Sequence, residues 1–547
     1  MGMGVRTKRL DASGRRRAAS AGMGARAKRL TYLVHRWLGV AGCVLMALWF
    51  VSGVVMLYVG YPKLTPWERL GALPALPASG CCAPLGGVLP DAVPPDSVPG
   101  KGVPSDAVPG DGVPGKGASP SAAGLVLTSI GGEPGYVLHD AGHRLRALSA
   151  RDGRPQGPVT PGRALAGARA FMPDAPLRYA GTVREDRWTH SGGLDAHRPL
   201  HRVQVDGAQP GTLYVSSATG QVVMDAPLYQ QRWNYAGAWL HWLYMFRDRP
   251  ADPAWSWLVI VLSAACTVAA LTGATVGIWR WRFRGRYKSG ARTPYREPWM
   301  RWHHIAGLLF SAFVCTWIFS GLMSMNPGGV FAPAGGGPDR AAYRGEGGRA
   351  GALAQPARIV QALREAGFVP VELQWRRLGG REYVLAYDAR AETRLVRDDG
   401  DGRLAVARAW TPAEVLPAAA RLLPHPLAAS RVLADYDAYY YQRHAEAMNG
   451  AQQRGLPALR LDFADPGRTR VYIDLRTGEP AASLSRSQRV GRWLFYFLHS
   501  WDVPALLRAG LARELAIIAL SLGGLAVSLT GVVIGWRRLR AWLGARG

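Results

Sequence analysis

Four apolar runs fix what this chain can fold into: about 33–59, 255–279, 302–325 and 512–536. A helix needs roughly 20 apolar residues to cross the hydrocarbon core of a bilayer. Helices and closed barrels alone satisfy their own backbone polar groups in that medium. Each run is long enough, and Trp or Tyr stands near its ends, as at a membrane interface. The first run is too long, and lacks the small-residue cleavage site, for a removable signal peptide. Before it, MGVRTKRL (3–10) recurs as MGARAKRL (23–30), so residues 1–30 are set aside as a basic tail.

Charge orients the runs. The segments 1–30, 280–301 and 537–547 hold 21 Lys and Arg against two acids, a net +19 of the chain's +28. Short loops rich in Lys and Arg stay in the cytoplasm, so both termini and the 280–301 loop are expected there. The basic balance then reports topology and leaves no role for nucleic acid; lipid is the expected contact. The segments between the runs fall on the outer side.

The chain also repeats itself. A shift of 268 lays the first run on the third, with His35 on His303, Gly39 on Gly307, Trp49 on Trp317, Ser52 on Ser320 and Gly53 on Gly321. A shift of 258 lays the second run on the fourth, with Leu271-Thr272-Gly273 on Leu529-Thr530-Gly531 and Arg280 on Arg538. The same shift matches TLYVSSATG (212–220) with RVYIDLRTG (470–478), and His241 with His499. The expected fold is an α-helical membrane bundle of four transmembrane helices with a two-fold internal repeat, carrying two extracytoplasmic α+β domains. Its axis would run along the membrane normal.

The expected order is a tail at 1–30, a transmembrane helix at 31–59 and an outside domain at 60–231 with a disordered insert at 83–124. An interfacial helix at 232–254, a transmembrane helix at 255–279 and a cytoplasmic loop at 280–301 follow. The second half has a transmembrane helix at 302–325, an outside domain at 326–489, an interfacial helix at 490–511, a transmembrane helix at 512–536 and a tail at 537–547. The insert is expected because 88–117 is a run of Pro- and Gly-rich pentads with little to bury. In the second domain, 355–368 has helical spacing, and ELQWRRL and REYVLAYDA alternate as strands. Thr411 followed by Pro412 starts another helix. DYDAYYYQRH (435–444) reads as a packed strand. Cys81 and Cys82 have no assigned role; Cys43, Cys266 and Cys315 sit in apolar runs as small hydrophobes.

Histidines at repeat-matched positions carry the chemistry. Polar groups within spans are costly and point to function. Under the repeat axis His35 would meet His303 near the cytoplasmic side, and His241 would meet His499 near the outer side. Two imidazoles at one level of a bundle suit the axial positions of a haem iron. Zinc wants three or four protein ligands, and no Cys or carboxylate joins either pair. Neighbouring helical residues project about 100° apart, so His303 and His304 cannot both serve one axis. The repeat selects His303 and leaves His304 as fallback ligand or propionate partner. The chain carries no dinucleotide or flavin fingerprint, P-loop or nucleophile motif.

With VHRWLG (34–39), WFVSG (49–53), WHHIAG (302–307), WIFSG (317–321), FLHSW (497–501) and the DYDAYYY…LRLDF…RVYIDLRTGE block on the page, the chain resembles the PepSY-associated transmembrane family of bacterial inner-membrane proteins. The resemblance runs over nearly all the chain after residue 30, the insert excepted. It implies PepSY-like outside domains and a multi-pass place in the inner membrane. Some members resemble siderophore-iron reductases with b-type haems between four spans. That implies two haem b groups held through His35, His303, His241 and His499, and oxidoreductase activity in iron uptake. Electrons from a cytoplasmic or quinol donor would reach a ferric siderophore or other ferric chelate outside. The alternative is a non-enzymatic membrane protein whose outside domains bind a peptide, protease or envelope partner. The first outside domain departs from the family pattern, with EDRWTHSGG (185–193) in place of the Tyr-rich motif.

Overall fold

The structure, a computed structural model, describes residues 12–78, 81–85, 124–139, 144–247, 252–333, 336–346, 351–444, 447 and 453–545. Four helices are long and apolar enough to span a membrane: Gly24–Tyr58, Pro253–Arg280, Pro298–Ser324 and Leu511–Gly544. The first is the apolar part of a helix that begins at Ala12. Local chemistry starts two of them. Asp252 accepts hydrogen bonds from the Ala254 and Trp255 amides ahead of Pro253, and Glu297 does the same for Met300 ahead of Pro298. Proline at the first helical position loses nothing there, since its amide would be unpaired anyway.

The four spans form a closed ring in which each packs on the next and the fourth packs on the first. The first and third therefore lie diagonally across the bundle, as do the second and fourth. Met46, Phe50, Cys266, Val314, Trp317 and Ile517 fill its middle.

The sheets attach at the ends marked by Tyr58, Pro253, Ser324 and Leu511; the opposite end is rich in Arg. One four-stranded antiparallel sheet has the order β4 (Leu177–Val183), β5 (Leu200–Val205), β6 (Gly211–Ser216), β7 (Val222–Pro227). Another has β12 (Leu427–Leu433), β13 (Ala458–Phe463), β14 (Arg470–Asp474), β15 (Glu479–Leu484). The third sheet has seven strands. It uses β1 (Val126–Ile130), β2 (Glu133–His139) and β3 (Leu145–Ser149) from the first outside segment. It also uses β8 (Glu372–Leu378), β9 (Arg381–Tyr387), β10 (Thr393–Asp398) and β11 (Leu404–Ala407) from the second. Its order is β11-β10-β9-β8-β1-β2-β3.

This sheet crosses the boundary drawn between the two outside segments from sequence. The seam is antiparallel, with Val126 opposite Gln374 and Leu127 opposite Leu373. Leu127, Tyr136, Leu373 and Trp375 bury one common core across it. Arg69, just after the first span, pairs with Glu372 of β8 through two hydrogen bonds of 2.5 and 3.0 Å. The helix at Pro412–Ala419 opens with a Thr411–Glu414 capping box, which satisfies two otherwise unpaired amides. Cys81 and Cys82 form a disulfide, and Cys43, Cys266 and Cys315 are free thiols in the spans. The insert expected at 83–124 lies outside the described residues except at its two ends.

Candidate functional site: two facing histidine pairs

His35, on the first span, and His303, on the diagonally opposite third span, point into the bundle with ring centres 6.2 Å apart and planes 29° from parallel. At the sheet-bearing end His241 and His499 come to 6.0 Å with planes 73° apart. One metal atom between two imidazoles needs a bond of about 2 Å and about 1 Å more to each ring centre, or roughly 6 Å between centres. Both pairs have that spacing.

The second ring nitrogen is fixed in all four cases, and its partners settle the tautomer. His35 Nδ1 lies 3.0 Å from the Ala269 carbonyl, and His303 Nδ1 lies 3.1 Å from the Val527 carbonyl and 3.0 Å from Thr530 Oγ1. A carbonyl only accepts, so each Nδ1 donates. Ser52 Oγ donates to the Leu48 carbonyl and so accepts from His241 Nδ1 at 3.0 Å. Ser320 Oγ donates to the Trp317 carbonyl and accepts from His499 Nδ1, also at 3.0 Å. With Nδ1 protonated, each Nε2 keeps its lone pair for a ligand role, and the Nδ1 partner orients the ring. These contacts match under the two shifts: Ala269 with Val527, and Ser52 with Ser320.

The outer pair depends on backbone geometry that neither periodicity nor motif predicts. Residues Tyr235–Trp239 and Trp493–Phe497 each form a π-helical turn, at positions related by 258. Two residues after each histidine the chain turns left-handed, at Leu243 and Trp501, both with φ of 55°. Such turns and strained residues gather at functional sites. Here they end each interfacial segment just past its histidine. Trp49 Nε1 donates to the His241 carbonyl at 2.8 Å and ties that segment to the first span.

Space is kept around the rings. A methyl at Gly273 would stand 2.6 Å from His35 Cε1, and one at Gly531 would overlap Cys43 Sγ and stand 3.4 Å from His303 Cε1. A cavity of about 230 Å³ holds the inner pair, with Gly39, Gly307, Arg36 and Arg538 in its wall. One of about 310 Å³ holds the outer pair, with Trp49, Trp317, Met56 and Arg443. Ser52, which contacts His241, lies 17 residues past His35, so the pairs are about 25 Å apart along the helix.

His304 joins neither pair. Its Nδ1 meets Thr293 Oγ1 at 2.7 Å and its Nε2 donates to the Gly277 carbonyl at 2.9 Å, so both nitrogens are occupied. The 435–444 segment is not a strand. Asp437 accepts from the Tyr439 and Tyr440 amides at 2.8 and 2.7 Å, a side-chain turn that displaces ladder pairing. Two of its tyrosines instead pack on the segment that carries His499: Tyr439 accepts from Trp493 Nε1, and the Tyr441 hydroxyl approaches Asp502. Among the described residues no group of three or more His, Cys, Asp and Glu could hold a metal ion. Each pair offers two imidazole ligands, so a metal held there would have to bring its other ligands with it, as the iron of a haem does.

No curated protein matches the chain. A family model described as the PepSY-associated TM region matches residues 32–538, which include the second and third spans, most of the first and fourth, all three sheets and both histidine pairs. The chain belongs to the PepSY-associated transmembrane family.

Proposed function

We propose that this protein is a duplicated, haem-bearing electron-transfer protein of the bacterial inner membrane that reduces a ferric siderophore or other ferric chelate on the outer side during iron uptake. The observation that carries the reading is the pair of imidazole couples, each at single-metal spacing and each with Nδ1 held so that Nε2 is the ligating nitrogen. His35 and His303 would hold one haem b, and His241 and His499 a second. Bound there, the haems would supply one-electron chemistry.

The chain's own residues do the rest. Ala269, Val527, Ser52 and Ser320 orient the rings. Phe50, Met46 and Trp317 occupy the bundle between the two cavities and exclude water from it. With Lys- and Arg-rich segments kept in the cytoplasm, the inner pair and both termini would lie on that side, where a cytoplasmic or quinol donor would deliver electrons. Reduction weakens the grip of an oxygen-rich chelator, because iron(II) carries less charge for the same hard ligands.

The test is an absorption spectrum of the detergent-purified full chain, oxidised and then reduced with dithionite. Sharp reduced bands of the bis-histidine type at two haems per chain are expected. A chain produced with ample haem that carries none refutes the reading and favours a non-enzymatic membrane protein that binds an envelope partner.

A further inference from the structure

The outer cavity has an unequal wall. Arg443, 14% exposed, lines it and contacts Asp502 at 3.3 Å. Behind stand Arg513, which meets the other oxygen of Asp502 at 3.4 Å and donates to the Ser500 carbonyl, and Arg492, which donates to the Asp502 carbonyl. Arg492 and Arg513 are 5% and 7% exposed, and Asp502 is fully buried. Arg443 and Arg513 contact the Asp502 carboxylate and Arg492 its backbone carbonyl; with Glu514 acting on Arg513 as a second acid, three guanidiniums meet two carboxylates and positive charge is in excess. Arg492 Nε and Nη1 and Arg513 Nε are buried without a hydrogen-bond partner among the described residues. Buried charge persists only when paired, because desolvation costs several kcal/mol per ion. Nor is the cluster part of the repeat: the 258 shift puts Asn234, Tyr244 and Trp255 in the places of Arg492, Asp502 and Arg513. Duplication alone does not account for it.

We propose that Arg443, backed by Arg492 and Arg513, is an anion site at the outward end of the outer cavity, built for a carboxylate-bearing ligand. Guanidinium forks match carboxylate geometry, and an acid group of the ligand would balance the excess. Two sources share that chemistry: the two acid side chains of a haem seated between His241 and His499, and a carboxylate-rich ferric chelate entering from outside. The first rests on the proposed function; the second does not.

The experiment compares wild type, Arg443→Gln and Asp502→Asn as full chains in detergent micelles. It reads haem per chain, the reduction midpoint of each haem, and ferric citrate binding by tryptophan fluorescence, Trp49 and Trp317 being in the cavity wall. If haem acid groups are the ligand, Arg443→Gln loses the outer haem or lowers its midpoint and leaves the inner one unchanged. If a chelate is the ligand, haem content holds and Arg443→Gln weakens ferric citrate at least tenfold, with a reduced dependence on salt. Asp502→Asn, which removes the carboxylate that Arg443 contacts, shifts the same readout in the opposite direction and carries the test if Arg443→Gln does not fold. Haem-free protein that binds ferric citrate through Arg443 sinks the haem reading and keeps this one. Haem content, midpoints and citrate affinity that match wild type in both variants overturn it.

Discussion

Gly273→Ala tests whether ring position at the inner pair controls ligation. The added methyl would lie 2.6 Å from Cε1 and 2.9 Å from Nδ1 of His35. Carbon contacts settle near 3.5–4.0 Å, so the imidazole must retreat by about 1 Å, against its 3.0 Å bond to the Ala269 carbonyl. Overpacking of this kind costs about 1–3 kcal/mol, and about 2 kcal/mol is roughly a thirty-fold loss of affinity. Loss of an orienting partner behind a metal-bound histidine has a similar effect, about 10–100-fold. The assay is haem per chain, with a redox titration to identify which component is lost. The content should fall from two towards one, with the outer component unchanged. Gly24→Ala, at a position with nothing within 4 Å, is the matched control. A Gly273→Ala protein that keeps both haems with an unaltered titration would refute the link between ring position and ligation.

Other outcomes follow from the same geometry. His303→Ala and His499→Ala should each remove about half the haem, whereas His304→Ala should keep both, because its nitrogens are already bonded to Thr293 and Gly277; haem-to-protein ratios decide. Ring planes at 29° and 73° should give two distinct low-spin ferric signals in electron paramagnetic resonance, with the larger anisotropy lost in His499→Ala; a single signal type would contradict the two geometries. Glu372→Ala should lower stability by about 3 kcal/mol, the low end for a broken buried pair because Arg69 keeps access to water; thermal unfolding in detergent reads it. Burial acts to raise the Glu372 carboxyl, but the Arg69 charge and hydrogen bonds from Arg69 and Gln374 outweigh it, so it titrates below the ordinary 4.5. A lowered carboxyl stabilises the fold above its ordinary value and gives that up as pH falls through the lowered one. The wild type should therefore lose stability below pH 4.5 more steeply than Glu372→Gln; equal slopes would remove Glu372 from the account.

The spans were legible because length and apolarity are local properties. The histidine partners were legible because two fixed shifts carried His35 onto His303 and His241 onto His499. What escaped was non-local or conformational. The β1–β8 seam joins Val126 to Gln374 across two spans, and no pattern within either strand names its neighbour. The π-helical turns at Tyr235–Trp239 and Trp493–Phe497 carry ordinary aromatic sequences; a matched aromatic stretch just ahead of each histidine was the signal available. At 435–444 the aromatic content suggested a strand, yet Asp437 turned the chain by bonding the Tyr439 and Tyr440 amides. The Arg443–Arg492–Arg513 cluster was scattered over 71 positions and met only in the fold.

The seam between β1 and β8 also sets what the membrane part can do mechanically. A single sheet stitched from both halves, clamped again by Arg69 and Glu372, works as a crossbeam over the bundle. Halves so braced would resist rocking against each other, and a carrier that must open first to one side and then to the other needs that freedom. A conductor of electrons needs the reverse, since tunnelling falls off steeply with every ångström of separation. If the two histidine pairs hold haems as proposed, the crossbeam would keep the gap between them constant, whatever docks on the sheets above.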